Sequence, residues 1–530
     1  MNVWNRKVVF LLSVTLIVWL LGNAGIAVAE EGGLEGVKGV ETHHGGYGVN
    51  MELLGYTDLQ GRPSYHPHVQ KQGDRYILYA SEHVGTGTYL NPMNGQMEYD
   101  GTSIVDITNP RHPIYLKHLP SLYGLPNNEA RSMRVCAGDD LPGKLYPGKY
   151  FMVRSDGQVS QTLWDVTNPA APVFIMKLID NLTYTHKISW DCVSGYIALP
   201  HSTGGTLPAA AKLPSWLTSH TIPSGWINGP GSPCAPLGCT TSILDMHDPY
   251  NPVYINEWGL LGQTPTTSVT PTPTFVHEMV VSTDAVYGTR LYSAGGTGVS
   301  GNGTDQVADL SKLVALGHQV KTDADIMAVQ IGAMKLSYEF GSHTVWPWYH
   351  IPMADFAENY PPGAGTVAGN LNPRIQDFVL DTTEGTNNGC VGWRANARVV
   401  DANYLAGGQL MVVASIDAPA MTKRVDYCAN DARFGSHGLS EDLYPPFKNR
   451  FQAIAWFSGG VRIWDIRNPF HPKEVAFFVP NTNQNTEQNC ATRNGVTSCS
   501  ITIGINNCAT DDRGLVSCVD RYGTGAYVLG

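Results

Sequence analysis

Four phrases in this chain repeat one pattern. Gly460-Val461-Arg462-Ile463-Trp464-Asp465 runs into Ile466-Arg467-Asn468-Pro469-Phe470-His471-Pro472. The same form recurs in Thr102–Pro113 around Asp106, in Leu163–Pro172 around Asp165, and in Ile243–Pro252 around Asp245. Each opens on alternating β-branched and aromatic residues, the signature of a half-buried strand. Each strand ends at Asp and enters a turn whose Asn-Pro or Asp-Pro step and second proline fix φ and remove donors. A unit written four times is a structural repeat. A four-stranded antiparallel sheet cannot cover both of its faces alone, so such units pack around an axis as a β-propeller.

The motif aspartates stand at 106, 165, 245 and 465, so the last interval of 220 residues must contain degenerate copies. Ile326-Met327-Ala328-Val329 is one candidate. Met411-Val412-Val413-Ala414, followed by Ile416-Asp417-Ala418-Pro419, is the other. Ala526-Tyr527-Val528-Leu529 has no turn after it and is expected to close the ring by pairing with a strand from the N-terminal region. The expected fold is all-β: seven four-stranded blades, with six or eight left open by the two weak copies. Asp106, Asp165, Asp245 and Asp465 are expected to accept hydrogen bonds from turn N–H groups rather than to do chemistry. Trp164 and Trp464, in matching slots, are expected to pack between blades.

These phrases resemble the LVIVD repeat, in which a hydrophobic strand ending in Asp precedes a D-x-x-[ND]-P-x-x-P turn. The resemblance covers most of the chain and implies a propeller with one blade per repeat. It specifies a fold and says little of function.

Residues 1–29 read as an export signal. Arg6 and Lys7 precede an apolar run from Val8 to Leu21, and Ala27-Val28-Ala29 offers a small-residue cleavage site, an uncleaved anchor being the alternative. No later stretch is long and apolar enough to span a bilayer. Residues 30–530 are then one exported propeller, periplasmic, cell-surface or secreted, with loop insertions near 201–240, 262–275 and 295–306. Losing the signal removes two positive charges, taking the formal charge from −11 to about −13. An acidic chain without a basic stripe is a poor nucleic-acid binder. The glycine-rich stretch Gly295–Thr304 lacks the lysine of a phosphate loop. Asp309 to Gly317 fits one short helix with Asp309 as N-cap.

Ten cysteines in an exported chain favour disulfides. Spacing suggests Cys234–Cys239, Cys490–Cys499 and Cys508–Cys518 as local staples, with Cys136–Cys192 and Cys390–Cys428 joining neighbouring segments. No C-x-x-C pair points to zinc or redox dithiol chemistry.

Among 17 histidines, several sit just ahead of short apolar strands. His186 precedes Lys187-Ile188-Ser189-Trp190, His277 precedes Glu278-Met279-Val280-Val281, and His343 precedes Thr344-Val345-Trp346. His437 lies 28 residues before Asp465, room for two or three strands. His68 and His44 are the first-blade candidates. The innermost strands of a propeller line its channel, so these imidazoles would converge on the axis. Such a nitrogen-rich site suits Cu, Fe, Zn or Mn, with Glu278 available to fix a tautomer. A histidine-lined axis is similar in architecture to the copper-dependent selenium-binding-protein or methanethiol-oxidase propellers and to the iron-dependent carotenoid-cleaving oxygenases. No motif of either family is present, and no residue role carries over.

Two functions follow. One is a metal-binding propeller with oxidoreductase chemistry on Cu or Fe, held by His186, His277, His343 and His437 with His68 or His44. The other is a non-enzymatic scaffold whose loops grip a protein or glycan, its histidines merely bonding backbone around the channel. Trp346, Trp348, Tyr349 and His350 form an aromatic patch suited to a pocket wall or to core packing. His112, His247 and His471 lie in the repeat turns and are expected at the surface. No Gly-x-Ser-x-Gly elbow or other nucleophile motif appears.

Overall fold

A computed structural model describes residues 40–530 apart from 43–44, 84–86, 124–128, 203, 229–238, 270–271, 274, 297–302, 337–340, 354–374, 386–387, 392–394, 404, 406–407, 422–424 and 442–443. The signal segment 1–29, His44 and Cys234 therefore lie outside the described residues.

Seven antiparallel blades form a closed ring. From the axis outwards, blade 1 is Ser64–Gln72, Arg75–Glu82, Gly101–Asp106 and Ile114–Pro120. Blade 2 is Met133–Ala137, Tyr150–Asp156, Ser160–Asp165 and Val173–Ile179. Blade 3 is Ser189–Trp190, Tyr196–Ser202, Cys239–Asp245 and Val253–Trp258. Blade 4 is Val276–Asp284, Gly288–Gly295, Thr304–Asp309 and Gln330–Lys335. Blade 5 is Thr344–Pro352, Ile375–Thr382, Ala397–Asp401 and Met411–Ile416.

In blade 6 the segment carrying His437 and Leu439 bridges to Phe451–Ala455 through Leu439 and Ile454, followed by Val461–Asp465 and Lys473–Pro480. Gly46–Val49 pairs on the outer edge of that blade. Blade 7 is Ile505–Thr510, Val516–Asp520 and Ala526–Leu529, completed by Leu53–Thr57 from the other end of the chain. Leu53 pairs with Leu529 and Thr57 with Ala526, so the ring is closed by the expected terminal pairing.

The packing shows why this ring holds. Side chains alternate faces along a strand, and each blade must bury both. Seven apolar clusters result, one at every junction. Ile77, Tyr79 and Ile104 of blade 1 meet Met133, Met152 and Trp164 of blade 2. Trp348 and Phe378 of blade 5 meet Ile454, Trp456 and Trp464 of blade 6. Val69, Leu78 and Val105 of blade 1 meet Ala509, Val519 and Val528 of blade 7, closing the circle. Both motif tryptophans are thus inter-blade residues.

The repeat aspartates cap their turns. Asp106 accepts from Thr108 N at 2.8 Å, Asp165 from Thr167 N at 2.9 Å, Asp245 from His247 N at 2.9 Å and Asp465 from Arg467 N at 3.0 Å. Of the turn histidines, His112 and His471 are exposed and His247 is half-buried.

The long interval does contain two degenerate copies, but not the two stretches proposed for them. Their third strands end at Asp309 and Asp401, whose carboxylates accept from Ser311 N at 2.9 Å and Asn403 N at 2.8 Å as in the regular copies. Ile326–Val329 belongs instead to helix Asp323–Val329, nucleated by a Thr322–Asp325 capping box. Met411–Ala414 is the fourth strand of blade 5, one place too late. Asp309 also caps helix Leu310–Ala315, as expected. Four disulfides follow the suggested pairing: Cys136–Cys192, Cys390–Cys428, Cys490–Cys499 and Cys508–Cys518. Cys239 is disulfide-bonded too. No helix among the described residues is long and apolar enough to cross a membrane.

The junction of blades 4 and 5 holds two buried carboxyls. Burial, then the Asp381 charge, pushes Asp305 well above the usual carboxylate range; burial also pushes Asp381 up, to about 6, against the pull of Arg398. In the unfolded chain both would ionise near 4. The folded state therefore keeps protons that the unfolded state loses, and stability falls as pH rises through that window. Asp305→Asn removes the Asp305 share of this penalty. Urea unfolding should show the variant gaining on wild type between pH 4 and pH 8, by about 1.4 kcal/mol for each unit by which folding raises the Asp305 pKa. An equal difference at both pH values would contradict this linkage.

Candidate metal centre

All innermost strands run in the same direction, so their starting residues gather at one level of the channel. Blades 3, 4, 5 and 6 each deliver a histidine there. Ring centroids of His186 and His277 lie 4.2 Å apart, of His277 and His343 4.3 Å, and of His343 and His437 4.2 Å. Blade 1 closes the circle with Tyr65, whose ring is 6.0 Å from His186 and 5.8 Å from His437. The Tyr65 hydroxyl lies 3.5 Å from His186 Nε2. All five side chains are buried.

Hydrogen bonds fix how two of these rings are protonated. His277 Nδ1 donates to the His343 carbonyl at 3.2 Å and His437 Nδ1 donates to the Asn506 carbonyl at 2.7 Å. A carbonyl can only accept, so the proton is on Nδ1 and the Nε2 lone pair faces inward. His343 Nδ1 is 2.8 Å from Thr344 Oγ1. The Nε2 atoms of His343 and His437 are buried without a hydrogen-bond partner. Burial, reinforced by the neighbouring imidazoles, pushes His186 and His343 well below the usual histidine range. Burial likewise lowers His277, and it takes His437 to about 3. The rings are thus neutral at physiological pH.

Carboxylates complete two ligand groups. His186, His277 and Glu278 place ligand atoms within 4.8 Å of one another, as do His277, His343 and Glu384. Glu384 Oε2 is 3.8 Å from His277 Nε2, and its Oε1 is 3.8 Å from His437 Nε2. Burial opposes its ionisation, but the Arg433 guanidinium at 2.6 Å holds its carboxyl down at about 2. Glu278 Oε1 is 3.6 Å from His343 Nε2.

One step along the channel lies a layer of buried charge. Lys187 Nζ donates to Glu278 Oε2 at 2.9 Å and pairs with Glu441, which also pairs with Arg134. Thr344 Oγ1 donates to Glu278 as well. Beyond this layer the strands end around a cavity of about 670 Å³, lined by His68, Arg134, Glu441, Trp190 and the Trp346–His350 aromatic patch.

The structure thus brings the rings of His186, His277, His343 and His437 together, the first three within the two ligand groups and His437 in neither, and sets His68 apart in the cavity wall. A register shift between Ser64 and Pro67 turns blade 1 so that Tyr65 faces the ring. The sequence held a trace of this. Ser64-Tyr65 aligns with Thr185-His186, Ser342-His343 and Ser436-His437, a hydroxyl residue preceding the ring residue in these four, with His277 after Val276 the exception. Glu384 and Arg433 come from inter-strand segments with no motif.

No family model matches this chain, and no curated protein sequence matches it. Solved structures do resemble it in fold. A chain of Kuenenia stuttgartiensis hydrazine synthase is 11% identical, TM-score 0.44, covering 89% of this chain and 96% of its own. Sqt1 from Chaetomium thermophilum is 10% identical, TM-score 0.45, covering 91% and 99%. A hypothetical selenium-binding protein from Sulfolobus tokodaii is 13% identical, TM-score 0.45, covering 88% of each. At these identities the likeness is one of fold alone.

Proposed function

We propose that this protein is an exported, LVIVD-type propeller whose imidazole layer binds one transition-metal ion, copper or iron, for oxidoreductase chemistry. The observation that carries the reading is the pair of buried Nε2 atoms of His343 and His437, which have no hydrogen-bond partner and lie 3.6 and 3.8 Å from the Glu278 and Glu384 carboxylates. Buried polar atoms are ordinarily paired, and four neutral imidazoles on one axis form a donor set suited to these metals.

His186, His277, His343 and His437 would supply nitrogen and Glu384 or Glu278 an oxygen. A bound copper or iron would contribute a redox-active centre able to take O₂ or a small substrate at an open position. The chain's own groups do the rest. The Asn506 and His343 carbonyls hold two tautomers, Arg433 keeps Glu384 ionised, and the Lys187–Glu278–Glu441–Arg134 layer separates the imidazoles from the cavity. Tyr65, which burial keeps protonated, presents a hydroxyl at the edge of the ring.

Copper(II)-loaded protein should give an electron paramagnetic resonance spectrum with superhyperfine splitting from several nitrogens, reduced in His343→Ala. A spectrum typical of oxygen ligands alone, unchanged in the variant, would place the metal elsewhere.

A further inference from the structure

Three guanidinium groups rim the imidazole layer on the side opposite the Lys187 layer. Arg131 precedes the inner strand of blade 2, Arg433 precedes the His437 segment, and Arg521 follows the second strand of blade 7. Two of them are neutralised locally. Arg131 Nη2 donates to Glu129 Oε1 at 2.9 Å, and Arg433 Nη1 donates to Glu384 Oε1 at 2.6 Å.

Arg521 is different. It is only 7% exposed, yet among the described residues no carboxylate pairs with it. Its Nη2 donates to His83 Nε2 at 2.9 Å, and its Nη1 is buried with no hydrogen-bond partner. A guanidinium does not shed its proton at any physiological pH; the ionised Glu384 carboxylate feels the Arg521 charge but pairs with Arg433, so no carboxylate touches Arg521 among the described residues, and a buried cation without a contacting counter-ion is costly. Its Nη1 leaves donor capacity that an anion would fill.

Its surroundings fix where that anion would sit. The guanidinium carbons of Arg521 and Arg433 lie 5.4 and 5.8 Å from the Phe457 ring, which is 4.6 Å from His437. His83, the partner of Arg521, stacks on Tyr65 at 5.4 Å. On the far side Arg131 lies over Tyr184 at 5.5 Å, and Tyr184 stacks on His186 at 5.8 Å. The side chains of Arg131 and Arg433 are 19% and 24% exposed, so this rim reaches solvent.

We propose that Arg521, flanked by Arg131 and Arg433, binds a small oxyanion, a carboxylate or an inorganic oxyanion, against the imidazole layer. Guanidinium groups suit this class because their N–H fork matches two oxygens at once. That the anion is a substrate rests on the proposed metal centre; that it binds does not.

The test is calorimetric titration of the full mature chain, metal-free and copper-loaded, in low-salt, chloride-free buffer, with acetate and with inorganic phosphate as probes. At least one should bind the metal-free protein with a Kd of about 1 mM or tighter, weakening as ionic strength rises. Acetate alone would mark the site as one for carboxylates, phosphate alone as one for inorganic oxyanions. Arg521→Gln should weaken binding about tenfold or more, and Arg521→Lys by less. Arg467→Gln, at an exposed ion pair with Asp465, should change nothing. Wild type that binds neither probe at about 20 mM, or an Arg521→Gln protein that binds as wild type does, overturns the proposal. Should Arg521→Gln fail to fold by circular dichroism, the wild-type titration and Arg521→Lys decide. Binding by metal-free protein upholds the anion site even if no metal is ever found.

Discussion

Lys187→Met is expected to lower the stability of the chelator-treated protein by about 3–5 kcal/mol, the usual consequence of removing one partner from a buried ionic group. Lys187 is buried and stands between two carboxylates, Glu278 of blade 4 and Glu441 of blade 6. Burial lowers its pKa, while Glu278 pulls it back up. Arg134 already answers Glu441, so losing the lysine strands the Glu278 charge beside His343 and Thr344. Adding Glu278→Gln removes that charge. The double variant Lys187→Met/Glu278→Gln should therefore recover much of the loss, a non-additivity that denaturant titration in EDTA measures directly. If the two substitutions instead add, or if Lys187→Met costs less than about 1 kcal/mol, the layer is a wet channel lining and not a buried ionic seal.

The second large effect concerns His277, the one residue shared by both ligand groups. His277→Ala should weaken copper or iron binding by more than about 100-fold, beyond what changes to outer-shell partners cause. In the metal-free protein it should cost about 1–3 kcal/mol, for the buried His343 carbonyl left unpaired and the space vacated. His68→Ala supplies the contrast, since His68 lines the cavity rather than the ring. Competition titrations against a chelator of known affinity should show that variant binding as wild type does. The reverse order, His68→Ala losing metal while His277→Ala retains it, would move the site into the cavity.

Why the fold was so legible is a matter of repetition. A turn that caps its own N–H groups with Asp and halts with proline is local chemistry, so four intact copies announced the blades without any long-range information. The two degenerate copies are hard to place from sequence because their turns lack the prolines: Asp309 leads into a helix and Asp401 into Ala402-Asn403-Tyr404. With the turn signal gone, apolar runs in helix Asp323–Val329 and in a fourth strand looked equally suitable. The site followed the same rule. Histidines at strand starts converge because the blades are equivalent, which spacing foreshadowed. Tyr65 takes the place expected of His68 because a one-place shift in register between Ser64 and Pro67 re-aims the strand, and only the hydroxyl of Ser64 before Tyr65 hints at it in the sequence. Glu384, Arg433 and Arg521 reach the axis from outside the inner strands, by three-dimensional proximity alone. No periodic pattern points to them.

Elemental analysis decides whether the imidazole layer holds a metal. The protein should be purified without chelators or a histidine tag, then analysed as isolated and after incubation with copper, iron, zinc and manganese in turn. About one equivalent of copper or iron per chain is expected, lost in His277→Ala and kept in His68→Ala. Wild-type protein that holds no stoichiometric metal after every incubation would contradict it. The four histidines would then be inter-blade hydrogen-bonding groups, and the propeller a binding scaffold.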